Sequence, residues 1–202
     1  MKLYITPGSP YARMARIVVI EKGLGGRVEV IVARTRAPGS LYYQINPSGR
    51  VPYLIRDDGV GMEESALIAD YLDRLDGCPS LTSVPGDDVW EARRLEALAR
   101  SMLDGLAVWS RETGRPHNEQ SPTTIAHERA RSERMIDVWE RQIEDPLMHG
   151  PFNMVQLTLA CALGMDVRNP DFRWRGGHPK LTAWFERISS RPSFQATMPP
   201  AP

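Results

Sequence analysis

One segment of the chain, residues 46–72, constrains the fold and the chemistry more than any other. It begins with the motif NPSGRVP, continues as two short apolar runs separated by Asp57-Asp58-Gly59, and ends with a Glu-Ser pair and the run ALIADYL. The Asp-Asp-Gly sequence predicts a hairpin turn, and the Glu-Ser pair predicts a helix start. The X-Pro bond before a strand and the acidic-Ser pair provide two polar sites rich in backbone groups. Such sites suit a small peptide that carries its own carboxylate and amine.

The composition is that of a globular protein with balanced charge. The chain has 202 residues, 42% hydrophobic and 25% charged, which accommodates one large or two small domains. Its 25 Lys and Arg balance 25 Asp and Glu, which argues against nucleic acid or an anionic membrane as a partner. We see no run of about 18 apolar residues and no secretory signal. Cys78 and Cys161 form no CxxC motif, which predicts a reducing, cytoplasmic location.

The first part of the chain alternates strands and helices in the order βαβ, helix, ββ, helix. This alternation indicates an α/β layer whose first two strands are parallel. Hydrophobic spacing and turn residues place strands at residues 3–5, 28–32, 52–55 and 60–62, and helices that begin near Ser9, Pro38 and Ser65.

The second part of the chain has no strand signals. Residues 77–87 are rich in Gly, Pro and Ser, which predicts a linker. Helices are predicted at residues 89–113, 122–144, 153–163 and 180–189, and Asn153 is a good N-cap from which Gln156 can reach back to the cap N–H. The sequence therefore predicts an α/β domain over 1–76, a linker over 77–87 and an all-helical domain over 88–202.

Ser9 is the first candidate for chemistry, because Ser9-Pro10 places a hydroxyl at a predicted helix start. That hydroxyl can accept a hydrogen bond from the first helical turn and still donate one to a ligand. A thiol at this point meets the donor and the positive end of the helix dipole, which lower the thiol pKa. A free thiol with a pKa of about 8.5 is only slightly ionised at neutral pH, so this stabilisation increases the nucleophilic thiolate. Helix capping alone is the alternative explanation for Ser9.

The chain resembles the cytosolic glutathione S-transferase family, of the bacterial type with Ser in the catalytic position. NPSGRVP matches the family pattern N-P-x-G-x-V-P, and the segment from Glu64 to Leu72 matches E-S-x-x-I-x-x-Y-L. The resemblance covers nearly the whole chain, and it is strongest at 46–72 and weakest at 88–150. It implies the glutathione transferase fold, an α/β thioredoxin-like N-terminal domain followed by an all-α C-terminal domain, assembled as a C2 homodimer.

The resemblance implies that Ser9 is the catalytic residue that holds the glutathione thiolate. The sequence from Ser9 to Ala12, SPYA, looks like a glutaredoxin CPYC motif with both cysteines replaced, so thiolate activation is expected without disulfide exchange. Tyr4 is a competing candidate, because Tyr-type members use a tyrosine of the first strand. Thr6 is a third and weaker hydroxyl.

The resemblance also implies the residues that bind glutathione. A cis Val51-Pro52 bond presents the backbone of Val51 to the cysteinyl part, and Glu64 and Ser65 hold the amino and carboxylate groups of the γ-glutamyl end. Arg50 is expected to bind glutathione. Arg13, Arg34, Arg36 and Arg50 are all candidates for the glycyl carboxylate, and a solvated surface is the alternative for most of them.

Asp104, in an Asp-Gly pair, resembles a family position that reaches the γ-glutamyl amine of the neighbouring subunit. A plain surface aspartate is the other reading of Asp104. A pocket for the electrophile is expected between the domains, with ordinary core packing as the alternative for its residues, which are Tyr11, Met102, Leu106 and Trp109. The four histidines have no metal-ligand spacing, so no metal is expected.

The family resemblance implies a cytoplasmic detoxification enzyme. It activates glutathione, its co-substrate, as a thiolate and adds it to small apolar electrophiles, without nucleic-acid or membrane partners. One alternative is a non-catalytic binding or regulatory protein of the same fold. Another is a glutathione-dependent isomerase, dehalogenase or lyase, which would differ only in the pocket.

Overall fold

The computed structural model describes residues 1–75, 78, 80–82 and 89–200. They form two compact units. The α/β unit comprises Met1–Thr82 together with Ala196–Pro200, and the helical unit comprises the described residues 89–195.

A mixed sheet of four strands forms the centre of the α/β unit, in the order β2-β1-β3-β4. β1 and β2 are parallel, whereas β3 is antiparallel to both β1 and β4. The predicted order of strands and helices is confirmed, as is the fold class of a thioredoxin-like unit followed by helices. The strands are β1 (Lys2–Ile5), β2 (Glu29–Val32), β3 (Tyr53–Ile55) and β4 (Gly61–Met62).

The described part of residues 1–82 contains the α-helices α1 (Pro10–Glu21), α2 (Tyr42–Ile45) and α3 (Ser65–Asp73). α2 is shorter than the helix predicted from Pro38, because Gly39 has a φ of +68° and the chain turns there before the helix begins. The helices that follow are α4 (Val89–Thr113), α5 (Pro122–Gln142), α6 (Met154–Leu163), α7 (Pro179–Ser189) and α8 (Pro192–Ala196). Over the described ranges, no helix is long and apolar enough to cross a membrane.

The two faces of the sheet have separate hydrophobic clusters, as alternation along a strand requires. Leu3 and Ile5 of β1 are buried on one face. Tyr4, between them, packs with Ala33 and Tyr42 on the other face. Tyr4 is thus a core residue, 8% exposed, with its ring centroid 5.6 Å from that of Tyr42.

α6 is the centre of the helical unit, and all ten of its residues are buried. Asn153 caps it as predicted, since its Oδ1 accepts a hydrogen bond of 3.1 Å from the N–H of Gln156. The prediction that the Gln156 side chain reaches back to the N–H of Asn153 is wrong. Its side-chain amide instead donates to the carbonyl of Leu147 at 2.7 Å, an oxygen that also accepts a hydrogen bond of 2.8 Å from the Asn153 amide.

A buried ion pair joins α1 to α3. Lys22 Nζ lies 3.2 Å from Asp73 Oδ1, and the two side chains are 2% and 0% exposed. Asp73 also accepts hydrogen bonds from the hydroxyl of Ser80, from the N–H of Leu81 at 2.8 Å and from the N–H of Thr82 at 3.1 Å. Burial alone would raise the pKa of Asp73, but these hydrogen bonds outweigh it and lower the pKa below its usual value.

The Asp73 contacts explain where the α/β unit differs from its predicted extent of 1–76. Residues 80–82 were expected in the linker 77–87. They group with the α/β unit, and the N–H groups of Leu81 and Thr82 donate hydrogen bonds to Asp73. Most of the predicted linker lies outside the described residues. Residues 196–200, expected in the helical domain, also group with the α/β unit. Arg13 Nε donates to the hydroxyl of Thr197 there at 3.4 Å.

Breaking the Lys22–Asp73 pair by removing one of its charges should destabilise the protein. We expect Asp73→Asn to lower the free energy of unfolding by about 3–5 kcal/mol, because it removes the Asp73 counter-charge from beside the buried Lys22 ammonium. Urea unfolding of the two proteins at neutral pH measures this difference.

The exposed pair Lys180–Glu144, with side chains 54% and 66% exposed, provides the matched control. Glu144→Gln should cost less than about 1 kcal/mol, because solvent screens the pair. Since the folded-state pKa of Asp73 is below its usual value, its contribution is present above about pH 4 and is lost as the pH falls through the lower folded-state value. The difference in free energy of unfolding between wild type and Asp73→Asn should therefore become smaller as the pH is lowered. A difference that is constant down to acid unfolding would contradict the ion-pair explanation.

Candidate active site

The strand registers bring three polar segments to one edge of the sheet. β1 and β3 are antiparallel with Tyr4 opposite Tyr53, so the end of β1 and the start of β3 lie together. β4 is antiparallel to β3 with Met62 opposite Leu54, so the end of β4 lies at the same edge. The segments that leave this edge contain the predicted site residues Ser9, Val51, Pro52, Glu64 and Ser65.

Ser9 is the N-cap of α1. Its Oγ accepts a hydrogen bond of 3.2 Å from the N–H of Ala12, and Pro10 is the first helical residue. The hydroxyl hydrogen of Ser9 has no acceptor within the described residues. The first turn of α1 contains no acidic side chain, so the positive end of the helix dipole is not neutralised locally. A half-buried hydroxyl donor is therefore available at the positive end of a helix.

Val51 and Pro52 are joined by a cis peptide bond, as the resemblance implies. Val51 is half-buried and Pro52 is buried. In the described part of the chain, neither the N–H nor the C=O of Val51 makes a hydrogen bond to other backbone groups. Both groups are therefore open to a ligand backbone, which could pair with them as a short strand does.

Glu64 and Ser65 form the start of α3. Glu64 is the N-cap, and its Oε1 accepts hydrogen bonds from the N–H of Ala66 at 3.2 Å and from the hydroxyl of Ser65 at 3.1 Å. Glu64 is exposed and has a φ of +72°, whereas Ser65 is buried. A positive φ in a residue with a side chain is strained, and such strain concentrates at functional sites.

The turn before Val51 depends on Asn46 and Gly49, to which the motif NPSGRVP alone assigned no individual role. The N–H of Ser48 donates to Asn46 Oδ1 at 3.1 Å, and the N–H of Gly49 donates to the Asn46 carbonyl at 3.0 Å. Gly49 has a φ of +66°, which favours glycine at this position. An Asn followed by Pro, Ser and Gly is itself a turn signal, so this part of the site could have been found from sequence.

The carbonyl of Arg50 is held by two side chains. Tyr42 donates its hydroxyl to this oxygen at 2.6 Å, and the Asn46 amide donates to it at 3.1 Å. Burial of Tyr42 raises the pKa of its hydroxyl, which therefore stays protonated and able to donate. These two donors determine the orientation of the peptide that precedes Val51. Tyr42 lies in the short helix α2 directly before the motif, and no sequence pattern indicated its role.

The other candidate residues, namely the arginines and Tyr4, lie in different environments. Arg50 is exposed in the turn, as are Arg34 and Arg36 farther back in the chain, whereas Arg13 is buried in α1. Tyr4 is packed against Tyr42 in the core of the unit. Its position in this cluster favours a packing role, and Ser9 is the hydroxyl at the helix start.

The helical unit contains the remaining candidates. Met102, Leu106 and Trp109 are buried in α4, and Asp104 is exposed on the same helix. The ring of Trp109 packs edge-on against Phe172 with their centroids 6.2 Å apart. Tyr11 is half-buried in α1 of the α/β unit. Among the residues that the structure describes, no group of three or more His, Cys, Asp or Glu is placed to hold a metal ion.

Comparison with known proteins determines the family. Residues 3–80 match the model of the glutathione S-transferase N-terminal domain, and residues 122–187 match that of the C-terminal domain. The chain belongs to the glutathione S-transferase family. Within this family it is 31% identical over 202 residues to an uncharacterized GST-like protein of Escherichia coli K12, YibF, with 99% of each chain covered.

Solved structures of the family include close relatives of this fold. A glutathione transferase family member from Pseudomonas fluorescens Pf-5 with bound glutathione is 32% identical, covers 99% of both chains and has a TM-score of 0.89. The same family member with bound S-(propanoic acid)-glutathione has a TM-score of 0.88 over 100% of both chains. A glutathione S-transferase from Methylobacillus flagellatus KT with glutathione bound is 27% identical, with a TM-score of 0.88 over 98% of this chain and 99% of that one.

The strain at Glu64 can be measured with two substitutions. Glu64→Gly and Glu64→Ala both remove the carboxylate that caps α3, but only glycine adopts a φ of +72° without strain. Strain of this kind is on the order of 1–3 kcal/mol, partly offset by about 0.5–1 kcal/mol from the greater freedom of unfolded glycine. We expect Glu64→Gly to be about 1 kcal/mol more stable than Glu64→Ala in urea unfolding. Equal stabilities would show that the backbone at residue 64 is not strained.

Proposed function

We propose that this protein is a glutathione transferase that holds glutathione as a thiolate and transfers it to small apolar electrophiles. The observation that carries the proposal is the hydroxyl hydrogen of Ser9 at the start of α1, which has no acceptor within the described residues. It lies at the same sheet edge as the open backbone of Val51 and the polar start of α3. The bound glutathione and glutathione conjugate in the Pseudomonas relatives support this assignment.

In the proposed reaction, the Ser9 hydroxyl donates a hydrogen bond to the sulfur of glutathione while its oxygen still accepts from Ala12. The donor and the positive end of α1 both favour the thiolate, so the pKa of the bound thiol is lowered. The sulfur electron pair then forms a bond to an electrophilic carbon. The leaving group departs with its bonding pair in a displacement, or the electrophile gains a proton from water in an addition.

Each part of glutathione has a proposed partner in the α/β unit. The cysteinyl backbone pairs with the N–H and C=O of Val51 before Pro52. The γ-glutamyl ammonium faces Glu64, and its carboxylate faces Ser65 and the N-terminal amides of α3. Arg50, exposed beside this segment, is proposed for the glycyl carboxylate.

We propose four residues as candidates for the lining of an apolar pocket for the electrophile. Tyr11 is half-buried in α1, whereas the three candidates in α4 are buried, which also fits their alternative role in core packing. An apolar lining favours apolar substrates and removes water from the reacting sulfur, which strengthens the electrostatic effect of Ser9. The residues are Tyr11, Met102, Leu106 and Trp109.

We extend the proposal to a cytoplasmic C2 homodimer that acts in detoxification, in which Asp104 of one subunit reaches the γ-glutamyl ammonium bound by the other. The exposure of Asp104 on α4 is compatible with this role. Sedimentation velocity should give the mass of a dimer, and Asp104→Asn should weaken glutathione binding by about threefold or more. A monomer that binds glutathione with wild-type affinity after Asp104→Asn would contradict this extension.

The role of Ser9 is tested by Ser9→Ala. We expect glutathione to bind with nearly unchanged affinity, because most of its contacts lie elsewhere. Turnover should fall roughly ten- to a hundredfold, the effect of losing one hydrogen bond to a charged group, and the pKa of the bound thiol should rise. Calorimetric titration, steady-state kinetics with a chromogenic electrophile and ultraviolet titration of the bound thiolate measure the three quantities.

Ser9→Asp separates chemistry from helix capping. Aspartate caps a helix as well as serine does, but its carboxylate has no hydrogen to donate at neutral pH. We expect normal thermal stability with turnover as low as in Ser9→Ala. Wild-type turnover in Ser9→Asp would reduce Ser9 to a cap. If wild-type protein binds no glutathione at millimolar concentration, the non-catalytic alternative replaces the proposed enzyme.

A further inference from the structure

Glu63, next to the predicted Glu64-Ser65 pair, carries a contact that the proposed mechanism does not use. Its Oε1 accepts a hydrogen bond of 2.5 Å from the hydroxyl of Ser48. Ser48 belongs to the turn before Val51, whereas Glu63 belongs to the segment that leads into α3. The contact therefore connects the two segments to which opposite parts of glutathione are assigned.

The segment around Glu63 receives little support from the sheet. β4 has only two residues, and its last paired residue is Met62, opposite Leu54. Glu63 makes no backbone hydrogen bond with the residues that the structure describes, and within the same ranges Ser48 is its one hydrogen-bond partner. The contact to Ser48 thus connects the chain between the end of β4 and Glu64 to the turn before Val51.

The position of Glu63 matters because Glu64 follows it directly with a φ of +72°. A strained backbone conformation persists only where the surrounding structure holds it. On the C-terminal side, α3 holds Glu64 through the hydrogen bond from the N–H of Ile68 to the Glu64 carbonyl at 3.0 Å. On the N-terminal side, the Ser48–Glu63 hydrogen bond has this role.

At its other end, the contact continues into the backbone next to Val51. The Oγ of Ser48 accepts a hydrogen bond of 3.2 Å from the N–H of Arg50 while it donates to Glu63. A hydroxyl has a single hydrogen, so donating it to Glu63 directs the lone pairs of Ser48 toward Arg50. Hydrogen bonds in such a chain polarise one another and strengthen together. The relay runs from the Arg50 amide through Ser48 to the Glu63 carboxylate.

We infer that Glu63 is a positioning residue that holds the Val51 segment and the start of α3 at the spacing that glutathione requires. Glu63 acts through Ser48 and does not itself contact the ligand. The inference rests on the proposed glutathione site, and it adds to that site a residue outside the family motifs. Preorganised segments bind a ligand more tightly because less order has to be imposed on binding.

Three substitutions test the inference through glutathione affinity. Glu63→Ala removes the acceptor and should weaken glutathione binding about three- to tenfold, the effect of losing one hydrogen bond. Glu63→Gln keeps a carbonyl oxygen for Ser48 and should restore most of the affinity. Ser48→Ala should weaken binding as Glu63→Ala does, and the double variant should add little to either, because both remove the same contact. Glu133→Ala, which removes an exposed carboxylate of α5, is the control for loss of a surface charge.

Kinetics distinguish positioning from chemistry. Glu63→Ala should raise the KM for glutathione by the same factor as the dissociation constant and leave kcat at saturating glutathione unchanged, because Ser9 is intact. If Glu63→Gln binds as weakly as Glu63→Ala, Glu63 acts through its charge on the ligand and the inference is wrong. Wild-type affinity in Glu63→Ala would also overturn it.

Amide hydrogen exchange tests the relay in ligand-free protein, independently of the proposed function. The N–H of Arg50 should exchange faster in Glu63→Ala than in wild type, and at nearly the wild-type rate in Glu63→Gln. An Arg50 amide with unchanged protection in Glu63→Ala would overturn the inference whether or not the protein binds glutathione. Conversely, if wild type fails to bind glutathione but the Arg50 amide responds as expected, the proposed function fails while the structural relay stands.

Discussion

The pairing of β3 between β1 and β4 is the constraint on which the site depends. Tyr53 faces Tyr4 and Leu54 faces Met62, so the chain leaves β1 and β4 at the edge where it enters β3. Three segments that are distant in sequence therefore meet without any contact among their side chains being required. Side chains refine this arrangement, since Tyr42 and Asn46 orient the Arg50 peptide and Ser48 reaches Glu63. Backbone pairing determines which segments meet, and local hydrogen bonds determine which polar groups each segment exposes.

Most of the fold was predictable because its elements have strong local signals. Alternating valines, the Asp-Asp-Gly turn and long periodic helices each indicate one structure, and all four strands and the long helices were placed within a few residues. The details that differ from the expectation depend on side-chain contacts eight or nine residues along the chain, beyond the spacing of a helical turn. Asp73 includes residues 80–82 in the α/β unit, and Leu147 draws the Gln156 amide away from the helix cap. No pattern within a short window contains such partners.

The candidate site also has one part that contiguous motifs predict and another part that depends on tertiary packing. The N-P-S-G turn, the proline before β3 and the polar start of α3 are contiguous motifs, so a sequence shows them directly. The positive φ of Glu64 and the burial of Ser65 depend on how the hairpin enters α3. The role of Tyr42 arises from its packing against Tyr4 on one face of the sheet, which places its hydroxyl at the Arg50 carbonyl. Packing of this kind requires the sheet to exist first.

The α/β unit is discontinuous along the chain, since Met1–Thr82 is joined by Ala196–Pro200 after the helical unit intervenes. Thr197 in the second piece is fully buried and accepts a hydrogen bond from Arg13 of α1. During synthesis on the ribosome, the sheet and its three helices emerge first, but Arg13 lacks this partner until the helical unit has also been translated. The unit that appears first in the sequence is therefore completed last, and its final packing step is coupled to the synthesis of the other unit.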